Sequence, residues 1–268
     1  MSSDLHGADA PAPRPDPPAR ARRGTPLLGA ILAQAGMELR LLFRSPESLL
    51  VTLGIPVGVL VFFSVVDVLP TGDERAVDFL VPGVIAISVA ATGLVAVAIQ
   101  TAFERKYGVL KRLGGTPLPR AGYLAAKGVA VAATLTIQLL LIVVLALTVL
   151  DWRPAGGALV LPVAVLVGAI SHTAIGLLLA GSLRAEATLA VTNGLFLVLL
   201  VISGVTFDPA ALPDALAAVG RVLPTGALAE VVRVGASGGG LAVGSLAVLA
   251  GWGAAAIGVA SRSFRWEP

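Results

Sequence analysis

From Phe79 to Ala98 the chain carries no charged residue. As a helix, at about 1.5 Å per residue, such a run crosses a hydrocarbon core of about 30 Å. It then empties into a basic segment with Arg105, Lys106, Lys111, Arg112 and Arg120, and apolar sequence returns after Lys127. An apolar run ending in a short basic loop is the pattern of a membrane span leaving on the cytoplasmic side. The loop presents a handle to something in the cytoplasm. The rest of the chain either frames it or forms the membrane body that it would move.

Composition agrees. Of 268 residues, 13% are charged and 56% hydrophobic, and the mean hydropathy is +0.92. A soluble domain is usually about 25% charged. Too little polar surface remains to coat a water-soluble globule, so a polytopic membrane protein is expected. A net charge of +3 and a pI near 9.8 could suggest nucleic acid. The basic residues instead cluster beside apolar spans, as topology signals do, and no nucleic-acid partner is expected. Cysteine is absent, which excludes a disulfide framework, a thiolate metal site and a catalytic thiol. His6 and His172 are too few and too scattered for a metal centre.

The expected fold is all-α, with six membrane helices, a cytoplasmic N-terminal amphipathic helix and two short outer-leaflet helices before the last span. Residues 1–24 carry five prolines and four arginines and form an expected disordered cytoplasmic tail. The tail is no signal peptide, since the first apolar stretch starts too late. The membrane body then covers 25–268. Between Pro26 and Phe43, Leu27, Leu28, Ile31, Leu32, Ala35, Leu39 and Leu42 recur at helical spacing, with Gln34, Glu38, Arg40 and Arg44 elsewhere. This pattern predicts a helix lying in the interface, ended by Ser45-Pro46.

The spans are expected at 49–66, 79–100, 123–150, 158–183, 188–207 and 241–260. Gly54 and Gly58 in the first form a G-x-x-x-G pair that allows close helix packing. Lys127 in the third is expected to snorkel to the interface. Leu212, Leu216, Val219 and Leu223 repeat with an amphipathic period, Pro224-Thr225-Gly226 breaks it, and Ala227 to Val234 forms a second short helix. With six spans both termini share a side. The cytoplasmic assignment then collects 15 of the 19 Lys and Arg residues, leaving Arg75, Arg153, Arg221 and Arg233 opposite. The positive-inside rule therefore puts both termini in the cytoplasm.

No Asp, Glu, Arg or Lys lies at mid-depth in these spans, so no ion-coupling site is visible. Gln138, His172, Thr192 and Asn193 are the polar candidates. His172 could carry a proton in a stand-alone carrier or membrane-embedded enzyme. Without an acidic partner it reads instead as an interhelical hydrogen-bonding residue or a cavity lining. No G-x-x-x-x-G-K-[ST] loop occurs. Gly114-Gly115 leads into Thr116 as an N-cap with Pro117 at the first helical position, a turn and not a phosphate loop. A membrane body with neither an ion site nor a nucleotide site needs outside energy. In the basic loop Phe103, Tyr107, Leu110 and Leu113 form one stripe, with Glu104, Arg105, Lys106, Lys111 and Arg112 around it. Such a helix could dock on a cytoplasmic motor or pin topology on anionic lipid. The residues alone leave both open.

Three blocks carry a family resemblance. Phe79-Leu80-Val81-Pro82-Gly83 resembles an aromatic-x-x-Pro-Gly opening of the second span. Glu104-Arg105-Lys106-Tyr107-Gly108-Val109-Leu110-Lys111-Arg112-Leu113, with Thr116-Pro117-Leu118, Tyr123 and Lys127, is similar to an E-R-x-x-G-x-L-K-R-L…T-P-L…Y…K segment. Ser203 to Pro209, Leu212-Pro213, Leu223-Pro224-Thr225 and Glu230 to Arg233 resemble an S-G-x-x-F-P…L-P…N-P-x…E-x-x-R region. Together they resemble the type-2 ATP-binding-cassette (ABC) permeases, the membrane subunits of drug, lipid and polysaccharide exporters. Asp208 intervenes before Pro209 and Leu223 stands where Asn is frequent.

The resemblance implies two permease subunits, alike or different, on two separate ATPase subunits that hold ATP and Mg, in the plasma membrane. This chain would bind no cofactor and catalyse nothing. Glu104, Arg105, Lys106, Tyr107, Gly108, Leu110, Lys111, Arg112, Thr116 and Pro117 would form the ATPase-coupling region, with Pro26 to Arg44 as a second ATPase-facing element. Phe79 to Gly83 and Ser203 to Arg233 would shape the outer exit. The lipophilic spans suggest a hydrophobic or amphipathic cargo such as a drug, antibiotic or lipid. A non-transporting scaffold subunit is a further reading of the same residues.

Overall fold

Every regular element among the described residues is a helix. The computed structural model describes residues 26–65, 75–113, 118–205 and 212–263. The N-terminal tail, the Gly114–Pro117 turn and the Thr206–Pro209 part of the third block lie outside the described residues.

Helix α1 (Leu27–Arg44) ends at Ser45, whose backbone is extended (φ −107°, ψ 101°) ahead of Pro46. The Ser45 hydroxyl accepts from the Ser48 amide at 3.3 Å and so caps the next helix, α2 (Pro46–Ser64). Then come α3 (Ala76–Lys106), α4 (Val109–Leu113), α5 (Arg120–Thr148), α6 (Val160–Ser182) and α7 (Ala185–Ile202). The last three are α8 (Asp214–Val222), α9 (Pro224–Ala236) and α10 (Val243–Ser263). Among the described residues, α2, α3, α5, α6, α7 and α10 are long and apolar enough to cross a membrane, which gives the six spans expected.

Most boundaries shift by a few residues from the sequence expectation, and two of the differences bear on the site. The second span does not end at Gln100 but continues to Lys106. Nothing between Thr101 and Lys106 breaks a helix, and the first residue that does is Gly108, at φ +70°. The amphipathic pair before the last span breaks at Leu223 (ψ 148°), not across Pro224 to Gly226. Pro224 opens α9, where its missing N–H costs nothing.

The core sits around α3 and α6, which are largely enclosed, whereas α2, α7 and α10 turn most of their surface outward. Val81, Val84, Ile85 and Val89 of α3 pack with Val165 and Ala169 of α6. Helix α9 turns 86° from α8 and drives Leu228, Val231 and Val232 into the same cluster. It is thus a core element, while α8 leaves Leu216, Val219 and Val222 exposed. The Trp252 indole of α10 donates to the Val222 carbonyl at 2.8 Å, tying the last span to the end of α8.

Helices α3 and α6 cross with their backbones almost touching. A π-helical turn, Ala91–Ala96, bulges α3 at the crossing. A Cβ on Gly176 would lie 2.7 Å from the Leu94 carbonyl oxygen. Small residues permit this approach in a membrane, where packing replaces the hydrophobic effect as the driving force. The G-x-x-x-G pair of α2 does not serve this way within the chain. Gly58 faces out with nothing within 4 Å of its Cβ position, and Gly54 meets only Leu50 of its own helix.

Gly176→Ala is therefore expected to lose about 1–3 kcal/mol through overpacking against backbone that cannot retreat. Gly251→Ala on α10, with nothing within 4 Å of its Cβ position, should be neutral or slightly stabilising. Thermal unfolding of both variants in detergent checks the contrast.

Candidate functional site

At the basic end of the bundle three helices meet at one ammonium. Lys127 projects from α5 and is 1% exposed. Its Nζ donates to Glu104 Oε1 of α3 at 3.0 Å and lies 3.4 Å from Glu38 Oε2 of α1. The Tyr123 hydroxyl, one turn before Lys127, donates to the other Glu104 oxygen. Gln100 Nε2 adds a donation to Glu104 at 3.1 Å, and Gln34 Nε2 donates to Glu38 Oε1 at 3.3 Å. Ala35, Ala126 and Ala130 close the α1–α5 contact beneath the charges.

Two carboxylates thus surround one buried ammonium. Burial pushes the Glu38 carboxyl above its ordinary value, and Lys127 opposes that shift. The expected snorkelling of Lys127 does not occur, because Glu38 and Glu104 hold its charge inside. Glu38 and Gln34 correspondingly lie on the packed face of α1, whereas the sequence periodicity had set them apart from it. Leu28, Leu32 and Leu41 of α1 are exposed instead.

The next two residues of α3 reach a different neighbour. Arg105 is buried, and its guanidinium donates to the Gly181 carbonyl at 3.0 Å and to the Leu183 carbonyl. These carbonyls stand at the C-terminus of α6, where orphan acceptors and the negative end of the helix dipole favour a cation. Lys106 pairs with Glu186 in the first turn of α7. Glu104, Arg105 and Lys106 therefore lock the end of α3 to α5, α6 and α7, and Lys127 carries the link on to α1.

What remains exposed is narrower than the sequence stripe. The turn at Tyr107-Gly108 interrupts the helix and splits the stripe. Leu110 is 1% exposed while Tyr107 is 64% exposed. Lys111 and Arg112 are exposed beside Tyr107, and the Arg112 guanidinium donates to the Tyr107 carbonyl at 3.2 Å. Lys106 stands 5.6 Å from the Phe103 ring centroid and 5.9 Å from that of Tyr107. Gly108, at φ +70°, supplies the bend between α3 and α4. Thr116 and Pro117 lie outside the described residues. The sequence named these residues but did not separate those that bind inward from those that face out. The signal available was the pairing of Glu104 with Tyr123 and Lys127 at helical spacing within one block.

The first and third blocks meet at the opposite end. The Arg233 guanidinium lies 5.2 Å from the Phe79 ring centroid and donates to the Gly204 carbonyl at 3.0 Å. It also pairs with Glu230 at 3.2 Å. A Cβ on Gly83 would come 2.7 Å from the Val205 carbonyl oxygen. Deeper in, His172 is fully buried, with Nδ1 2.8 Å from the Gly168 carbonyl and Nε2 3.0 Å from the Thr225 hydroxyl of α9. Gln138 of α5 donates to the Thr52 carbonyl of α2 at 2.6 Å and accepts from Thr92 of α3 at 3.2 Å. Both act as interhelical links. Thr192 and Asn193 bond to carbonyls of their own helix. Among the described residues no His, Asp and Glu cluster could hold a metal ion.

Fold and site define a multi-pass helical membrane protein with a braced basic segment, Glu104 to Arg112, at one end. The family model of ABC-2 type transporters matches residues 30–236, and the chain belongs to that family. It is thus a membrane permease component of an ABC transporter, which implies a partner ATPase. No curated protein matches the chain.

Lys127→Met is expected to cost about 3–5 kcal/mol, because it strands the buried carboxylate of Glu38 and the half-buried one of Glu104. The triple variant Glu38→Gln, Glu104→Gln, Lys127→Met should recover much of that loss. Unfolding of the full cycle checks the coupling. Because Glu38 holds its proton more tightly when folded, stability should fall as pH rises from about 4.5 through its raised value. In Glu38→Gln that part of the pH dependence should vanish.

Proposed function

We propose that the chain is the membrane subunit of an ATP-driven exporter, with two permease subunits seated on two ATPase subunits. The observation that carries this reading is the split at the end of α3. Glu104 and Arg105 fasten the helix to α5 and α6, and through Lys127 to α1, while Tyr107, Lys111 and Arg112 stay exposed just beyond it. A projecting surface on a rigid mount suits transmission of force from a cytoplasmic motor. A topology signal needs only the charges and not the mount.

The basic end faces the cytoplasm in this reading, as the charge asymmetry of the sequence supports. α3 then reaches from the hairpin to Phe79 and its Arg233 neighbour, so a push on one end is delivered to the outer exit through one long helix. The outward face of α2, with Gly58 open, suits close approach of the second permease subunit. A hydrophobic or amphipathic cargo such as a drug, antibiotic or lipid fits the apolar spans. His172 does not favour a stand-alone carrier, since both ring nitrogens have packing partners and no carboxylate is among them.

Co-expression with a candidate ABC ATPase, followed by pull-down on the permease, tests this. Tyr107→Ala with Lys111→Ala and Arg112→Ala should leave thermal stability within about 0.5 kcal/mol, as for exposed sites generally. The same variant should lose ATPase capture or cargo-stimulated ATP hydrolysis. Transport that persists with no ATPase present overturns the reading.

A further inference from the structure

Helix α1 is joined to the bundle by little apolar packing. Ala35 is its one buried apolar residue. With Ala126 and Ala130 of α5 it forms a small cluster apart from the main core, and Ile31 packs against it. Leu28, Leu32, Met37, Leu41 and Phe43 all stay exposed. The helix packs against α5 and the start of α2, from which the extended backbone of Ser45 separates it. A segment with so few buried apolar contacts opens at lower cost than the core does. What else holds it is ionic, through Glu38.

That attachment is one positive charge short. Glu38 of α1 and Glu104 of α3 share the single ammonium of Lys127. Arg105 and Lys106 of α3 are engaged at α6 and α7. Arg40 and Arg44 of α1, Glu47 of α2 and Lys111 and Arg112 of α4 are exposed. Two ionised carboxylates would therefore leave one buried negative charge without a counter-charge, which is costly in a poorly solvated place. The two carboxylates are not equally supported. Glu104 takes donations from Lys127, Gln100 and the Tyr123 hydroxyl. Glu38 has Gln34 at 3.3 Å and Lys127 at 3.4 Å. A proton that relieves the excess charge is therefore better placed on Glu38. Burial raises the Glu38 carboxyl in the same direction.

We propose that Glu38, Glu104 and Lys127 form a proton-binding site that governs the seating of α1. With a proton on Glu38 the helix rests on α5. Loss of that proton loosens α1 about Ser45 while the six spans keep their packing. Glu104, still paired with Lys127 and Tyr123, then keeps the end of α3 in place. The device needs no ATPase and stands apart from the coupling role of Tyr107, Lys111 and Arg112.

The test uses the full chain in lipid nanodiscs without an ATPase, and the absence of native cysteine allows two thiols to be introduced for spin labels. One pair joins Arg40→Cys of α1 to Ala187→Cys of α7, and a control pair joins Val129→Cys of α5 to Ala187→Cys, all at exposed positions. Double electron–electron resonance reads the distances. As pH rises from about 4.5, the seated distance of the α1 pair should give way to a broader distribution. The ratio of unseated to seated helix should grow by up to about tenfold per pH unit until the raised Glu38 value is passed. The control pair should not change. Glu38→Gln should keep α1 seated across the range. Glu104→Gln, which leaves one carboxylate for one ammonium, should likewise stop the loosening at high pH. A distribution for the α1 pair that is constant from about pH 4.5 to about pH 8, a response that persists in Glu38→Gln, or one shared by the control pair overturns the proposal.

Discussion

One ammonium, the Nζ of Lys127, holds the basic end of this protein together. It joins α1, α3 and α5 through Glu38 and Glu104, with Tyr123 completing the shell. Removing a buried charge from such a set leaves its partners uncompensated in a poorly solvated place, which costs more than the pair itself contributes. The arrangement therefore defines one position for α1 against the span bundle. It also fixes the end of α3, so the exposed residues Tyr107, Lys111 and Arg112 follow a braced helix end.

The brace connects to the opposite end of the bundle through the core. Helix α3 carries Glu104 and Arg105 at one end and Phe79 at the other. Between them, the Ala91–Ala96 π-turn lies against α6 at the Gly93 and Gly176 contact. Helix α6 in turn contacts α9 through His172 and Thr225, and α9 presents Arg233 to Phe79. The polar residues buried at mid-depth thus join neighbouring helices along this route. Gln138 does the same for α2, α3 and α5.

Much of this was legible in the sequence. Uncharged runs of span length and the break at Ser45-Pro46 marked the helices, because hydrophobic length and proline chemistry act locally. The polar character of His172 and Gln138 was visible, as was the absence of an acidic partner for His172. Their partners Thr225 and Thr52 were not visible, since those contacts depend on how distant helices cross. For the same reason Lys127 was read as a snorkelling residue: burial of its charge requires Glu38, which is remote in sequence. The second span was ended at Gln100, where the apolar run stops, and the amphipathic segment after it was read as a separate helix, whereas the backbone runs on as one helix to Lys106. At Pro224 the residue most suggestive of a break instead begins α9.

The central claim is that the exposed hairpin of α4 meets the ATPase while its mount stays fixed to the membrane body. The chain has no cysteine, so a single introduced thiol reports contact without background. The most direct measurement is cross-linking from Lys111→Cys to the co-expressed ATPase, with Ser237→Cys, exposed at the opposite end, as the comparison. The account predicts a cross-linked permease–ATPase product from position 111 and none from position 237. No product at 111, or equal products at both positions, would contradict it.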